Sequence, residues 1–95
     1  MSSLYRSTTY IPQLVNECKK LAEEAGFTKS CTDPFGRLLN ALVGQVSGKI
    51  LEVGTGFGVS TSWIISAMTK EASLITVDCD ESQVSRVKQT LKGIE

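Results

Sequence analysis

The chain has no histidine, only three cysteines, two prolines and no surplus of charge, since ten Lys plus Arg balance ten Asp plus Glu. Each shortage removes something. Without histidine, and with Cys18, Cys31 and Cys79 irregularly spaced and forming no C-x-x-C pair, the ligands of a structural zinc site are missing. An odd cysteine count does not make a disulfide framework either, and unpaired thiols suit a reducing cytoplasm. Zero net charge, with the two signs interspersed, leaves no electrostatic footprint for nucleic acid or anionic lipid. No apolar stretch approaches the roughly 18 residues of a membrane span. Met1-Ser2-Ser3-Leu4-Tyr5-Arg6 lacks the apolar core of a signal peptide, so a soluble cytoplasmic protein is expected.

What is present is a globular composition, 41% apolar over 95 residues, which makes one domain but is short for an enzyme built on an open parallel sheet. Leu14, Val15, Cys18, Leu21, Ala22 and Ala25 recur on one helical face, after Pro12 in a first turn and before Gly26 as a stop. A second helix is expected with Asp33 as N-cap, Pro34 as first helical residue, and Phe35, Leu38, Leu39, Leu42, Val43 and Val46 on one side. Gly44, Ser47 and Gly48 break that pattern. A buried parallel strand follows over about Lys49 to Val53, then a helix with Trp63, Ile64, Ala67 and Met68 on its apolar face, then a strand Leu74-Ile75-Thr76-Val77. This is one β-α-β unit, right-handed by rule. Asp80-Glu81-Ser82-Gln83 reads as a capping box, after which Val84, Val87, Leu91 and Ile94 keep helical spacing. The expectation is the first part of a larger α/β domain, with two strands and about four helices in this chain.

The chemistry gathers where the first strand ends. Gly54, Gly56 and Gly58 let the chain turn sharply and let a ligand approach the backbone, while the turn amides and the following helix favour an anionic group. Ser60 adds a hydroxyl, and Thr55 and Phe57 have no required partner. The dinucleotide fingerprint G-x-G-x-x-G is missed by one position, which Val59 occupies. Glu52, just before the first glycine, would repel a pyrophosphate and instead suits a cationic ammonium group. Asp78 ends the second strand, and with the turn it suggests a nucleoside-bearing cofactor.

Leu51-Glu52-Val53-Gly54-Thr55-Gly56-Phe57-Gly58-Val59-Ser60-Thr61 resembles the first motif of the class I S-adenosylmethionine-dependent methyltransferases, and especially the O-methyltransferase branch that includes the catechol and caffeoyl-CoA enzymes. Gly36-Arg37-Leu38-Leu39-Asn40-Ala41-Leu42 and Leu74-Ile75-Thr76-Val77-Asp78 fit the same branch, so the resemblance covers roughly Phe35 to Leu91. It implies a Rossmann-like methyltransferase fold, truncated here. Residues 1–95 would be the amino-terminal cofactor-binding part of a single domain, with 1–48 a helical lead-in and 49–95 the β-α-β-α unit. By the resemblance, Glu52 and the backbone at Gly54 and Thr55 hold the methionine amino end of S-adenosyl-L-methionine, Ser60 bonds its carboxylate, and Asp78 takes the two ribose hydroxyls. The methyl group would go to a small-molecule hydroxyl. The branch carries its adenine contacts, its carboxylate and amide ligands for a divalent metal and its catalytic base on later strands and loops, none of them in this chain.

Other readings accompany these. Asp78 could cap the next helix, although Asp80 is the better cap; Cys79 reads as a small buried thiol and Trp63 as core; Lys19, Lys20, Glu23 and Glu24 read as a solvated helix face. Two alternative functions stand beside the methyltransferase: a non-catalytic binding or dimerisation module, and a nicotinamide-dependent oxidoreductase, which Val59 and Glu52 disfavour. Two strands leave sheet edges unpaired and apolar faces uncovered, so self-association is expected.

Overall fold

The computed structural model describes residues 11–91. Met1 to Arg6 and Ile94 lie outside them, as do the side chains of Val84 and Leu91. The element order is α1 (Gln13–Glu24), α2 (Asp33–Val43), β1 (Lys49–Val53), α3 (Val59–Ile65), β2 (Ser73–Val77) and α4 (Glu81–Leu91). The two strands pair in parallel, with Lys49 opposite Ser73 and Val53 opposite Val77, so both carboxyl ends finish at the same edge.

Helix α1 starts at Pro12, whose carbonyl accepts from the amides of Val15 and Asn16. It ends in a Schellman motif. Gly26 takes φ +71°, its amide donates to the Glu23 carbonyl at 3.0 Å, and the Phe27 amide donates to the Ala22 carbonyl at 2.9 Å. The buried side of α1 is Val15, Cys18 and Ala22. Val15 and Cys18 join Val59 and Trp63 of α3 in the core, with Ile11 and Cys31 packed against it. The expected core tryptophan is fully buried.

Helix α2 differs from expectation in two respects. Its N-cap is Thr32 rather than Asp33: Thr32 Oγ1 accepts from the Phe35 amide at 3.4 Å, while Asp33 stands in the first turn, ion-paired to Lys19 of α1 at 2.5 Å. Pro34 follows Asp33 instead of opening the helix. The packing face is also rotated. Gly36 and Val43 are buried, whereas Phe35, Leu38 and Leu42 are 51–57% exposed. The reason is Trp63: a Cβ built at Gly36 would stand 2.1 Å from the indole Nε1, so only glycine lets α2 approach α3. Asn40 Nδ2 then donates to the Trp63 carbonyl at 2.9 Å, and the Arg37 guanidinium lies 5.9 Å from the indole centroid. Close approach, rather than the apolar stripe, selects the face.

Helix α3 is shorter than its pattern, ending at Ile65, with Ala67 and Met68 in the turn beyond. Strand β1 is not buried on both faces. Ile50, Glu52, Leu74 and Thr76 face inward and are half-buried, while Leu51, Val53, Ile75 and Val77 are 45–79% exposed. Among the described residues no helix is long and apolar enough to cross a membrane.

Candidate functional site

The turn after β1 is held by the end of β2. The amides of Gly54 and Thr55 both donate to the Val77 carbonyl, at 2.6 and 3.1 Å, and the Gly58 amide donates to the Thr55 carbonyl at 2.9 Å. Gly54, Gly56 and Gly58 take φ of +97°, +55° and +86°, which L side chains rarely adopt. Gly58 is also walled in: a Cβ there would lie 2.8 Å from Val87 Cγ1 and 3.2 Å from Cys18 Sγ. It therefore joins α1, α3 and α4 and does not line the cleft. Thr55 and Phe57, for which the sequence required no partner, have them. Thr55 Oγ1 lies 2.6 Å from Thr76 Oγ1, and the Phe57 ring meets Phe27 edge-on at 5.2 Å and Arg86 at 5.6 Å.

Asp78 is held by two amides. Its Oδ2 accepts from Gly56 at 2.7 Å and its Oδ1 from Asp80 at 3.0 Å. The Gly56 amide, followed by the Asp80 amide, pulls its carboxyl below the usual carboxylate range. Each oxygen keeps a second lone pair for a ligand. Asp80 supplies the helix cap, accepting from the Gln83 amide at 3.2 Å, as its position in the sequence suggested.

Glu52 points to the inner face of the sheet, where it stands opposite Thr76 in register. Its Oε1 accepts from Thr61 and, at 2.7 Å, from Thr76, and its Oε2 accepts from Ser60. Three hydroxyls from α3 and β2 thus fix one carboxylate behind the glycine turn.

A cavity of about 160 Å³ opens at the carboxyl ends of the two strands. Gly54, Thr55, Gly56, Val59, Ser60 and Asp78 form one side, and Phe27, Lys29, Ser30 and Cys31 of the α1–α2 loop form the other. Five of the seven predicted residues meet there; Glu52 and Gly58 stand behind it. The loop wall escaped sequence reading because Phe27 to Cys31 carry no periodicity or motif. Thr76 had a signal, since it shares inward parity with Glu52. Phe27 is aimed by the Schellman turn, and its ring comes within 3.3 Å of where a Gly56 Cβ would be. Burial, then the charges of Glu52 and Asp33, push the Cys31 thiol up, so it stays protonated at neutral pH. Cys79, expected to be buried, is exposed because it follows Asp78 out of the strand. All three cysteines are free thiols, and among the described residues no three acidic or cysteine side chains gather as metal ligands.

Parallel strands whose carboxyl ends carry a glycine turn and an acid define a Rossmann-like α/β fold, and solved O-methyltransferases share it. An O-methyltransferase of Streptomyces achromogenes involved in tomaymycin synthesis, solved with S-adenosylmethionine, matches 95% of this chain and 42% of its own at a TM-score of 0.77 and 23% identity. One from Bacillus cereus, solved with S-adenosylhomocysteine, matches 94% of this chain and 42% of its own at a TM-score of 0.76 and 22% identity. In sequence, a protein of Mycobacterium leprae (strain TN), provisionally named an O-methyltransferase, is 34% identical over 77 residues, 80% of this chain and 34% of the relative. Another of that provisional name from Mycobacterium avium (strain 104) is 41% identical over 59 residues, 61% of this chain and 27% of the relative. No family model matches the chain. Over most of its length the chain is similar to proteins provisionally named O-methyltransferases, as the glycine-turn motif indicated, and it spans about a third of the length of the curated relatives it matches.

Proposed function

We propose that this chain is the cofactor-binding section of an S-adenosylmethionine-dependent O-methyltransferase that methylates a hydroxyl of a small molecule. The observation that carries the reading is the shared cleft at the carboxyl ends of β1 and β2, where open α/β sheets place ligands. Its 160 Å³ is below the ~300–1,000 Å³ of a complete small-molecule pocket, which suits one part of a site.

The residues fit the cofactor. Asp78 keeps lone pairs for a vicinal diol while two amides hold its carboxylate in place. A Cβ at Gly54 would meet nothing within 4 Å, so the backbone there is open to close approach. Gly56 lets the chain turn under Phe27, and Glu52 sets a negative charge behind Ser60. When bound, S-adenosylmethionine supplies an electrophilic methyl on a sulfonium. The task of these residues is to bind and orient it, and rate enhancement by positioning follows from that. The base, the acceptor contacts and any divalent metal ligands are assigned to parts of the protein outside these 95 residues. Free thiols support a reducing, cytoplasmic setting.

Calorimetric titration with S-adenosylmethionine and S-adenosylhomocysteine, with NAD as control, tests the reading. The two adenosyl ligands are expected to bind and NAD is not. Asp78→Ala is expected to weaken both by about tenfold or more; unchanged affinity in a folded variant would remove the diol role.

A second reading, a non-catalytic module that self-associates, draws support from the exposed outer face of the sheet. It would lead if a folded sample bound none of the three ligands.

A further inference from the structure

The α1–α2 loop stands between two spaces. Ser30 and Cys31 line the cleft and also a second cavity of about 290 Å³ against the last turns of α1, while Lys29 lines the first alone and Thr28 the second alone. Packing holds the loop in part, through Phe27 on Phe57 and Cys31 on the core. Among the described residues, Thr28 to Cys31 make no hydrogen bond to the remainder of the chain, and the Ser30 hydroxyl oxygen is buried without a partner. A segment with few contacts and no backbone hydrogen bonds opens at low cost.

The restraint therefore sits at the ends of the loop. One end is the Schellman turn at Gly26 and Phe27. The other is the ion pair from Lys19, which itself lines the second cavity, to Asp33 in the first turn of α2. Its side chains keep 34% and 29% of their surface exposed, so the pair is a weak bond that can open.

We propose that the Lys19–Asp33 pair is the latch of a movable wall: closed, it holds Thr28 to Cys31 against the cleft, and open, it lets that segment back into the second cavity. Lys19 and Asp33 are thus positioning residues, which act on a ligand through the loop. What the wall closes on rests on the cofactor reading above; the latch does not.

The three free thiols make the wall readable, since Cys31 belongs to it, Cys18 is buried in the core and Cys79 is exposed. Asp33 pushes the Cys31 thiol up and Lys19 draws it down. Thiolate is the nucleophile, so charge alone would make Lys19→Gln slow the alkylation of Cys31 and Asp33→Asn speed it. Loss of a latch has the same sign in both.

The test is alkylation of the chain by iodoacetamide, a neutral reagent, with each cysteine followed by mass spectrometry. Both variants are expected to speed Cys31 by roughly two- to fivefold, the range of a partly exposed ion pair, with Asp33→Asn the larger because charge and latch then act together. Cys18 and Cys79 are expected to keep their rates, and Lys19→Arg to restore that of Cys31. Opposite signs in the two variants, or no change in either, overturn the latch. So does a rise at Cys18 in step with Cys31, which would mark a general loosening of the fold. Bound S-adenosylhomocysteine is expected to slow Cys31 several-fold, and an unchanged rate with the ligand bound would overturn the closing of the wall on it. Failure of the unmodified chain to bind S-adenosylhomocysteine is a different result: it overturns the cofactor reading, and the ligand-free rates still decide the latch.

Discussion

The same two strands carry opposite faces. Inward, Glu52 and Thr76 sit opposite each other within a network that takes in Thr55, Ser60 and Thr61. Outward, Leu51, Val53, Ile75 and Val77 are β-branched or leucine and stand in solvent. In this chain the polar face is satisfied and the apolar face is uncovered. Burial of apolar area usually drives folding at roughly 25 cal/mol per Å², so a sheet with that face open forgoes part of its stabilisation. The fold therefore leans on the helical side, where Trp63, Val15, Cys18 and Val59 close the core, and the site is built on that same side.

Breaking the helical side should cost most. Gly36→Val would drive side-chain atoms into a fully buried indole, since a Cβ alone would reach 2.1 Å from its Nε1. Thermal or urea unfolding is expected to show a loss of about 3 kcal/mol, the upper end for overpacking. Gly48→Ala, where a Cβ meets nothing within 4 Å, is the matched control and should stay within about 0.5 kcal/mol.

The outer face should respond in the opposite sense. Leu51→Thr combined with Val53→Thr keeps β-propensity and removes two exposed apolar side chains, so stability should change by less than about 1 kcal/mol. Size-exclusion chromatography with light scattering is expected to register a shift from associated species to monomer. A chain that is already monomeric at every concentration would sink the self-association reading.

The smallest effect belongs to Asp78. Its carboxyl is held below its ordinary value of 3.8 by the Gly56 and Asp80 amides, so the linked stability is complete above that value and fades as pH falls through the lower folded-state value. An acid titration of unfolding followed by circular dichroism should therefore have a gentler slope below about pH 3.8 in Asp78→Asn than in the unmodified chain. Equal slopes would show that the clamp contributes nothing to the fold.

Legibility in the sequence divides along the same line. Both strands and the first and last helices were marked, by Pro12, Gly26, Gly48 and Asp80 as punctuation and by the short apolar runs of β1 and β2. The glycine turn and Asp78 were legible because motif chemistry is local. The packing face of α2 was not, because an apolar stripe and a glycine made the same helix amphipathic in two directions, and the choice depended on a tryptophan in another element. Thr32 displaced Asp33 as the cap for a similar reason: the acid had a distant lysine to pair with. The α1–α2 loop reached the cleft through tertiary placement alone.

That loop has a further consequence. Phe27 owes its position over Gly56 to where α1 stops, and α1 is clamped to α3 through Val15 and Cys18. An α-helix advances roughly 100° per residue. One residue inserted or deleted between Cys18 and Gly26 would swing Phe27 around the helix axis and carry Lys29, Ser30 and Cys31 with it. The length of that last stretch of α1 is thus a gauge setting for the cleft: apart from Lys19, which pairs with Asp33, its surface residues can vary in identity, but their number cannot change.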